Sequence, residues 1–253
     1  MKRSLIHFEI SLLALSTVLL VNCGSDSEQV TYSDSLTFDF VGMADGNPIE
    51  FNSKNYTTVS GNEISIDRMK VYISNIQLVN SMSGEIMAEE ESYHLISLND
   101  QRTQQSFTLQ GIRSDFQFDQ IKFAIGVDAQ RNASIDNFGD LDATNDMAWD
   151  WNTGYKFFLM EGSFYPENSE TKRGLILHIG LDKNYKSQEY MLSNLVDIPT
   201  NGTLQFELDA LAPLNGPNVI DLNIKNEFMV DSDADKIAEN YSNGLIKLLT
   251  KTF

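Results

Sequence analysis

The chain contains very little cysteine, tryptophan and histidine, and each shortage excludes a class of protein. Among 253 residues there are one cysteine, two tryptophans and three histidines. A single cysteine excludes both a disulfide scaffold and a cysteine-rich zinc site. The sequence also lacks a nucleophile elbow, a zinc-protease helix and a phosphate-binding loop. The chain is therefore predicted not to be an enzyme.

Basic residues are scarce as well. The chain carries 18 lysines and arginines against 36 acidic residues, a formal net charge of -18. A body of this charge is repelled by phosphate backbones, which excludes nucleic acid as a partner. Most of the carboxylates are expected on the solvated surface, where they keep the protein soluble. With five prolines and no internal repeat, the chain is predicted to form one large domain after its N-terminal region.

Positions 1–22 are predicted to be a lipoprotein signal peptide. Lys2 and Arg3 precede an apolar run from Ile10 to Val21. This run is too short to cross a bilayer as a stable helix, and a basic start followed by a short apolar core is typical of an export signal. The mature protein is therefore expected in the cell envelope.

The signal ends at the only cysteine of the chain, Cys23. Leu20, three residues earlier, is typical of a bacterial lipobox, whereas Asn22 stands where a smaller residue is usual. We expect lipid attachment at Cys23, a polar flexible tether over residues 23–35, and anchoring to the outer membrane through the lipid alone.

Alternation of apolar and polar residues dominates positions 36–253. It is clearest at 36–41 (LTFDFV) and 203–208 (TLQFEL), and it also predicts a strand over 219–224. Apolar residues at helical spacing predict one helix over 234–249. The predicted fold is all-β, an antiparallel β-sandwich of the Ig-like or jelly-roll type with one C-terminal helix.

Both tryptophans lie in the segment 147–155, whose sequence is MAWDWNTGY. If this segment is an extended strand, Trp149 and Trp151 point to the same face, with Met147 in line with them. Paired aromatic residues on a strand face are also common core anchors. The segment is therefore a candidate site with a purely structural alternative.

Two histidines, His94 and His178, remain after the predicted signal peptide. His178 lies in the apolar run 174–180 (GLILHIG), where it needs a hydrogen-bond partner or a metal. Imidazole nitrogen and thioether sulfur both suit copper, so His178, His94 and Met147 are candidate ligands. The alternatives are a hydrogen-bonded core position for His178 and a surface or strand-edge position for His94.

Several motifs, in order along the chain, resemble the MbnP-like family, named after the copper-associated periplasmic protein of methanobactin operons. The matching pieces are MKVYISNI (69–76), FAIGVD (123–128), WDWNTGY (149–155), LMEG (159–162) and HIG (178–180). The resemblance identifies residues 36–253 as the MbnP-like domain. It implies an all-β periplasmic or surface domain that binds copper for capture or handling.

The resemblance also implies a modification and two partners. In that family a tryptophan can be oxidised to kynurenine by a dihaem cytochrome peroxidase-like oxidase, and an outer-membrane transporter is a further partner. By the resemblance, either Trp149 or Trp151 could be the oxidised residue. Intact indole offers only an N–H donor and is a poor metal ligand, whereas kynurenine exposes an aromatic amine and a ketone. His178 matches the family's histidine, and Tyr155 and Met147 either complete the pocket or pack beside it.

Two other functions are compatible with the residues. The domain could be a non-catalytic surface module that binds glycan or protein through exposed aromatic residues, namely Trp149, Trp151 and Tyr155. It could also be a structural part of an envelope complex, with both tryptophans in its core.

Overall fold

The computed structural model describes residues 35–53, 56–150, 152–199 and 201–252. The predicted signal peptide, Cys23 and Trp151 lie outside these residues, as does the tether up to residue 34. Lipid attachment therefore stays a prediction. Within the described part, no helix is long and apolar enough to cross a membrane.

The described residues form two β-sheets, as the alternating sequence predicts. Each strand presents one set of side chains to the interior, because successive residues point to opposite faces. In chain order the strands are β1 (Leu36–Ala44), β2 (Asn47–Pro48), β3 (Tyr56–Thr57), β4 (Glu63–Val79), β5 (Ile86–Ala88), β6 (Tyr93–Asn99), β7 (Gln104–Thr108), β8 (Gln117–Ile125), β9 (Lys156–Phe164), β10 (Arg173–Gly180), β11 (Lys186–Asp197), β12 (Gly202–Asp209), β13 (Glu227–Phe228) and β14 (Ile246–Thr252).

The smaller sheet has the order β14-β12-β1-β2, with β7 also paired to β1. The larger sheet has the order β11-β8-β4-β9-β10-β13, with β3, β5 and β6 also paired to β4. Strand β4 is 17 residues long, so it pairs with β9 along its first half and with β8 along its second. The predicted mainly-β sandwich is confirmed.

Most strand pairs are antiparallel, as predicted, but two pairs are parallel. Strand β1 runs parallel to β12, and β10 runs parallel to β13. Parallel neighbours need a long crossover connection, and both pairs are separated by many residues of intervening chain. Alternation within a strand does not reveal the direction of its neighbour.

The main core lies between the sheets and is rich in phenylalanine. Phe206 stacks against Phe38 and Phe40, with ring centroids 5.3 and 5.1 Å apart. All three side chains are fully buried, and each contributes roughly 1.5–3 kcal/mol of hydrophobic stabilisation. These are the residues that the alternation at both segments places inward.

A second apolar cluster covers the outer face of the larger sheet. It forms because β9 is apolar on both faces, so that Phe157 and Leu159 point away from the main core. Residues 128–150 and 152–155, here called the cap segment, fold over this face. The members of the second cluster are Tyr72, Leu95, Val127, Leu141, Met147, Tyr155, Phe157 and Leu159.

Three α-helices occur among the described residues: α1 (Ala129–Asn132), α2 (Ala212–Asn215) and α3 (Ala234–Gly244). The predicted helix over 234–249 is therefore too long. Ile246 and Leu248 instead pair with Leu208 and Phe206 at the edge of the smaller sheet. Pairing at a sheet edge decides this segment, and local helical spacing cannot reveal it.

The predicted strand over 219–224 is also wrong. The backbone N–H of Ile224 donates to the carbonyl oxygen of Asp221, and the Asp221 carboxylate accepts the N–H of Asn223. An aspartate that bonds its own backbone two residues on favours a turn. That local hydrogen bonding overrides the alternating pattern.

Candidate metal centre

His178 lies on the outer face of the larger sheet, beside the second cluster. In β10 it stands opposite Leu159 of β9, which belongs to that cluster. Its Nε2 atom is 2.8 Å from Oε1 of Glu161, and 14% of its side chain is exposed. Burial lowers the pKa of His178 and outweighs the hydrogen bond to Glu161, which raises it. Burial therefore favours the neutral form of the imidazole.

Glu161 is held on its other side by Arg68. The Nε atom of Arg68 donates to Oε2 of Glu161 at 2.7 Å. The hydrogen bond from Arg68 lowers the pKa of Glu161 to about 2, although burial opposes the shift. The carboxyl group is therefore ionised, and one donor occupies each of its oxygens.

The guanidinium of Arg68 also reaches the cap segment, since its Nη1 atom lies 2.9 Å from Oδ2 of Asp146. Two further basic side chains bind the same turn through backbone carbonyls. Lys70 donates to the oxygen of Asn145 at 2.7 Å, and Lys156 donates to the oxygen of Asp146 at 3.0 Å. These three cations fix the point from which the chain enters segment 147–155.

The described residues 147–150 and 152–155 form a turn, whereas the sequence predicted one extended strand. Trp151 lies outside the described residues, so the predicted common face of the two indoles stays a prediction. The Asp150 carboxylate accepts the backbone N–H groups of Asn152 and Thr153. The N–H of Trp149 donates to the carbonyl of Gly154 at 2.9 Å. Aspartate favours such a turn because its side chain bonds the backbone two residues on.

Trp149 is half-buried and its ring lies against Gly180. A Cβ atom built on Gly180 would be 2.7 Å from Cζ3 of Trp149. Gly180 follows His178 by two positions on β10, a separation of about 7 Å along a strand. The structure therefore brings the indole of Trp149 into the neighbourhood of His178.

Met147 and Tyr155 are both fully buried in the second cluster. The Tyr155 hydroxyl donates to the carbonyl of Leu141 at 2.7 Å and accepts a hydrogen bond from Asn137 at 3.0 Å. Packing and these bonds account for both side chains. Tyr155 therefore offers no exposed ring for sugar stacking.

His94 lies on the opposite face of the larger sheet. It stands opposite Ile73, a residue of the main core. Its Nε2 atom is 2.7 Å from Oε2 of Glu89, and its ring stacks on Phe107 with centroids 3.6 Å apart. His94 and His178 are thus separated by the sheet and do not share a site.

His178 fits copper as a single neutral nitrogen donor. Of the two ring nitrogens of His178, only Nε2 has a hydrogen-bond partner among the described residues. No group of three or more histidine, cysteine, aspartate or glutamate side chains in this part of the chain could hold a metal ion. Further ligands would have to come from a modified tryptophan or from outside the described residues.

Two residues of the site, Glu161 and Arg68, escaped prediction from the sequence. The available signal was a charged residue in an apolar strand, since Glu161 follows FFLM in β9. An isolated charge there requires a partner. Its identity depends on strand pairing.

Comparison with known proteins agrees with the motifs. The family model MbnP matches residues 33–232. Among solved structures, MbnP from Methylosinus trichosporium superposes with a TM-score of 0.55 at 15% sequence identity, covering 82% of this chain and 88% of that one. At this identity the likeness shows the fold. No curated protein matches the sequence. The resemblance expected from the motifs is confirmed.

Proposed function

This chain belongs to the MbnP family, and on that premise we propose that it binds copper in the cell envelope, capturing or handing on the ion without catalytic turnover. The family is associated with methanobactin and with copper in general. The single observation that supports the proposal is the position of His178, whose imidazole is held by Glu161 at 2.8 Å two residues before Gly180, the glycine against which the ring of Trp149 lies.

His178 supplies a nitrogen ligand, and Trp149 or Trp151 supplies a second after oxidation to kynurenine. Two equivalents of hydrogen peroxide each transfer one oxygen atom to the indole, so that the C2–C3 bond breaks, a C=O bond forms at each of the two carbons, and two molecules of water leave. Hydrolysis then releases the C2 carbon as formate and exposes an aromatic amine. A dihaem cytochrome peroxidase-like oxidase is the proposed catalyst of the oxidation. The position of Trp149 against Gly180 supports this residue as a candidate.

The proposed location is the outer membrane, with the lipid on Cys23 as anchor and an outer-membrane transporter as a partner. The apolar run before Cys23 supports export. The mature domain carries a large excess of carboxylates, which suits a soluble body held beside the membrane.

The test is to purify the full chain after co-expression with its genomic neighbours. Intact mass reports acylation of Cys23 and ring-opening of an indole, and elemental analysis reports bound copper. We expect His178→Ala to lose the copper. The matched control is His94→Ala, which removes the imidazole on the opposite face and should retain it. Equal copper in native protein and His178→Ala refutes the proposal.

A further inference from the structure

The hydrogen bonds of Glu161 determine which nitrogen of His178 carries the proton. Oε2 of Glu161 accepts from Arg68 at 2.7 Å, and Oε1 lies 2.8 Å from Nε2 of His178. A carboxylate has no hydrogen to donate, so Nε2 must be the donor. In a neutral imidazole the other nitrogen, Nδ1, then carries the lone pair.

We propose that Glu161 and Arg68 are positioning residues that fix His178 as the Nε2–H tautomer, so that Nδ1 is the nitrogen offered to copper. The inference rests on the proposed function. A metal-binding histidine commonly donates its second ring N–H to a carboxylate, which fixes the ring orientation and raises the basicity of the ligating nitrogen.

Arg68 also connects Glu161, which holds His178, to the cap segment, which carries Trp149. One guanidinium nitrogen holds Glu161, and another holds Asp146 of the cap segment. Asp146 directly precedes the chain that carries Trp149. Arg68 therefore couples the orientation of the imidazole to the placement of the indole.

His94 is an internal reference for this assignment. Its Nε2 atom also contacts a carboxylate, that of Glu89. Glu89 is held by the Ser92 hydroxyl and the Gln110 backbone N–H rather than by a guanidinium. Because His94 lies on the other face of the sheet, changes at Glu161 or Arg68 should leave its ring unaffected.

The first test is nitrogen-15 NMR of the two histidines in the metal-free mature protein, assigned with the single histidine variants. We expect a protonated Nε2 and an unprotonated Nδ1 for His178. In Glu161→Leu, His178 should become a mixture of tautomers while His94 stays unchanged. Arg68→Met should show the same change to a smaller extent, because Glu161, the carboxylate partner of His178, is still present.

The matched controls are Glu85→Leu and Arg113→Met, which break another arginine–carboxylate pair, formed between the residue just before β5 and the loop that leads into β8. Both should leave His178 unchanged. Thermal unfolding identifies any variant that does not fold. A protonated Nδ1 in native protein, or an unchanged tautomer in folded Glu161→Leu, overturns the inference.

The second test is a competition measurement of Cu(I) affinity. Loss of such an outer partner lowers metal affinity about 10–100-fold, and we expect a fall of this size in Glu161→Leu but not in Glu85→Leu. An unchanged affinity in Glu161→Leu overturns the positioning role.

A failure of the proposed copper function and a failure of the tautomer inference give different results. Native protein that binds no copper refutes the proposed function, and this inference with it, even with the expected tautomer. Copper bound by a protein whose metal-free form has a protonated Nδ1 refutes only the inference.

Discussion

The two histidines among the described residues show that surroundings, rather than residue type, decide what a side chain can do. Both contact a carboxylate through Nε2. His94 is covered by the ring of Phe107, whereas His178 lies beside a glycine that admits an indole. The same type of hydrogen bond therefore holds a packed side chain at His94 and a candidate metal ligand at His178.

Met147 offers a residue-scale prediction. Its side chain is fully buried in the second cluster, so packing explains it without a metal. Met147→Leu conserves volume and should cost less than about 1.5 kcal/mol of unfolding free energy, with copper stoichiometry unchanged. Chemical denaturation and elemental analysis measure the two quantities. A folded variant that loses copper would show that the thioether is a ligand.

Strand β10 contains both the candidate ligand, His178, and the glycine that makes room for the neighbouring indole ring. His178 projects from the outer face, and Gly180 leaves the room that the ring of Trp149 occupies. A side chain at position 180 would also meet the carbonyl oxygen of Tyr155, 2.2 Å from the Cβ position. The glycine is therefore required by close approach of its neighbours.

Gly180→Ala is predicted to destabilise the protein by roughly 1–3 kcal/mol, since overpacking displaces neighbouring groups. It should also alter tryptophan fluorescence as Trp149 moves. The matched control is Gly174→Ala on the same strand, where a Cβ meets no atom within 4 Å. Denaturant unfolding and emission spectra make the comparison. Equal stability of the two variants contradicts the packing described here.

At the scale of the whole molecule, His94 and Phe107 join the two sheets. His94 belongs to β6 of the larger sheet and Phe107 to β7 of the smaller sheet. Glu89 holds the imidazole in place, with only 3% of its side chain exposed. Because Glu89 holds His94 against Phe107, the association of the two sheets depends on the ionisation of the Glu89 carboxyl group.

Burial raises the pKa of Glu89, but hydrogen bonds and the charge of His94 outweigh it, so that the net pKa lies below its usual 4.5. A depressed carboxyl pKa stabilises the fold above the unfolded-state value, and this contribution is lost as the pH falls through the folded value. Glu89→Gln should therefore cost about 1–3 kcal/mol at pH 7 and progressively less in acid. Unfolding curves from pH 7 to pH 3 test this, with Glu90→Gln as the control. A pH-independent difference contradicts it.

Local sequence patterns were sufficient to predict the core strands and to identify the family. A period of two places Phe38, Phe40 and Phe206 inward whatever their partners are, because alternation follows from backbone geometry. The same reasoning failed at 147–155 and 219–224, where aspartate side chains bond the nearby backbone and form turns. Competition between alternation and local capping is visible in the sequence, but its outcome depends on packing.

The sequence by itself determined a mainly-β domain with an excess of negative charge and one histidine in the family's apolar motif. Tertiary structure alone decided that Arg68, 93 positions before Glu161, would share that carboxylate with His178. It also decided that His94 would face the other side of the sheet. Strand pairing brings distant residues together, and no spacing along the chain encodes which strands become neighbours or on which face their side chains meet.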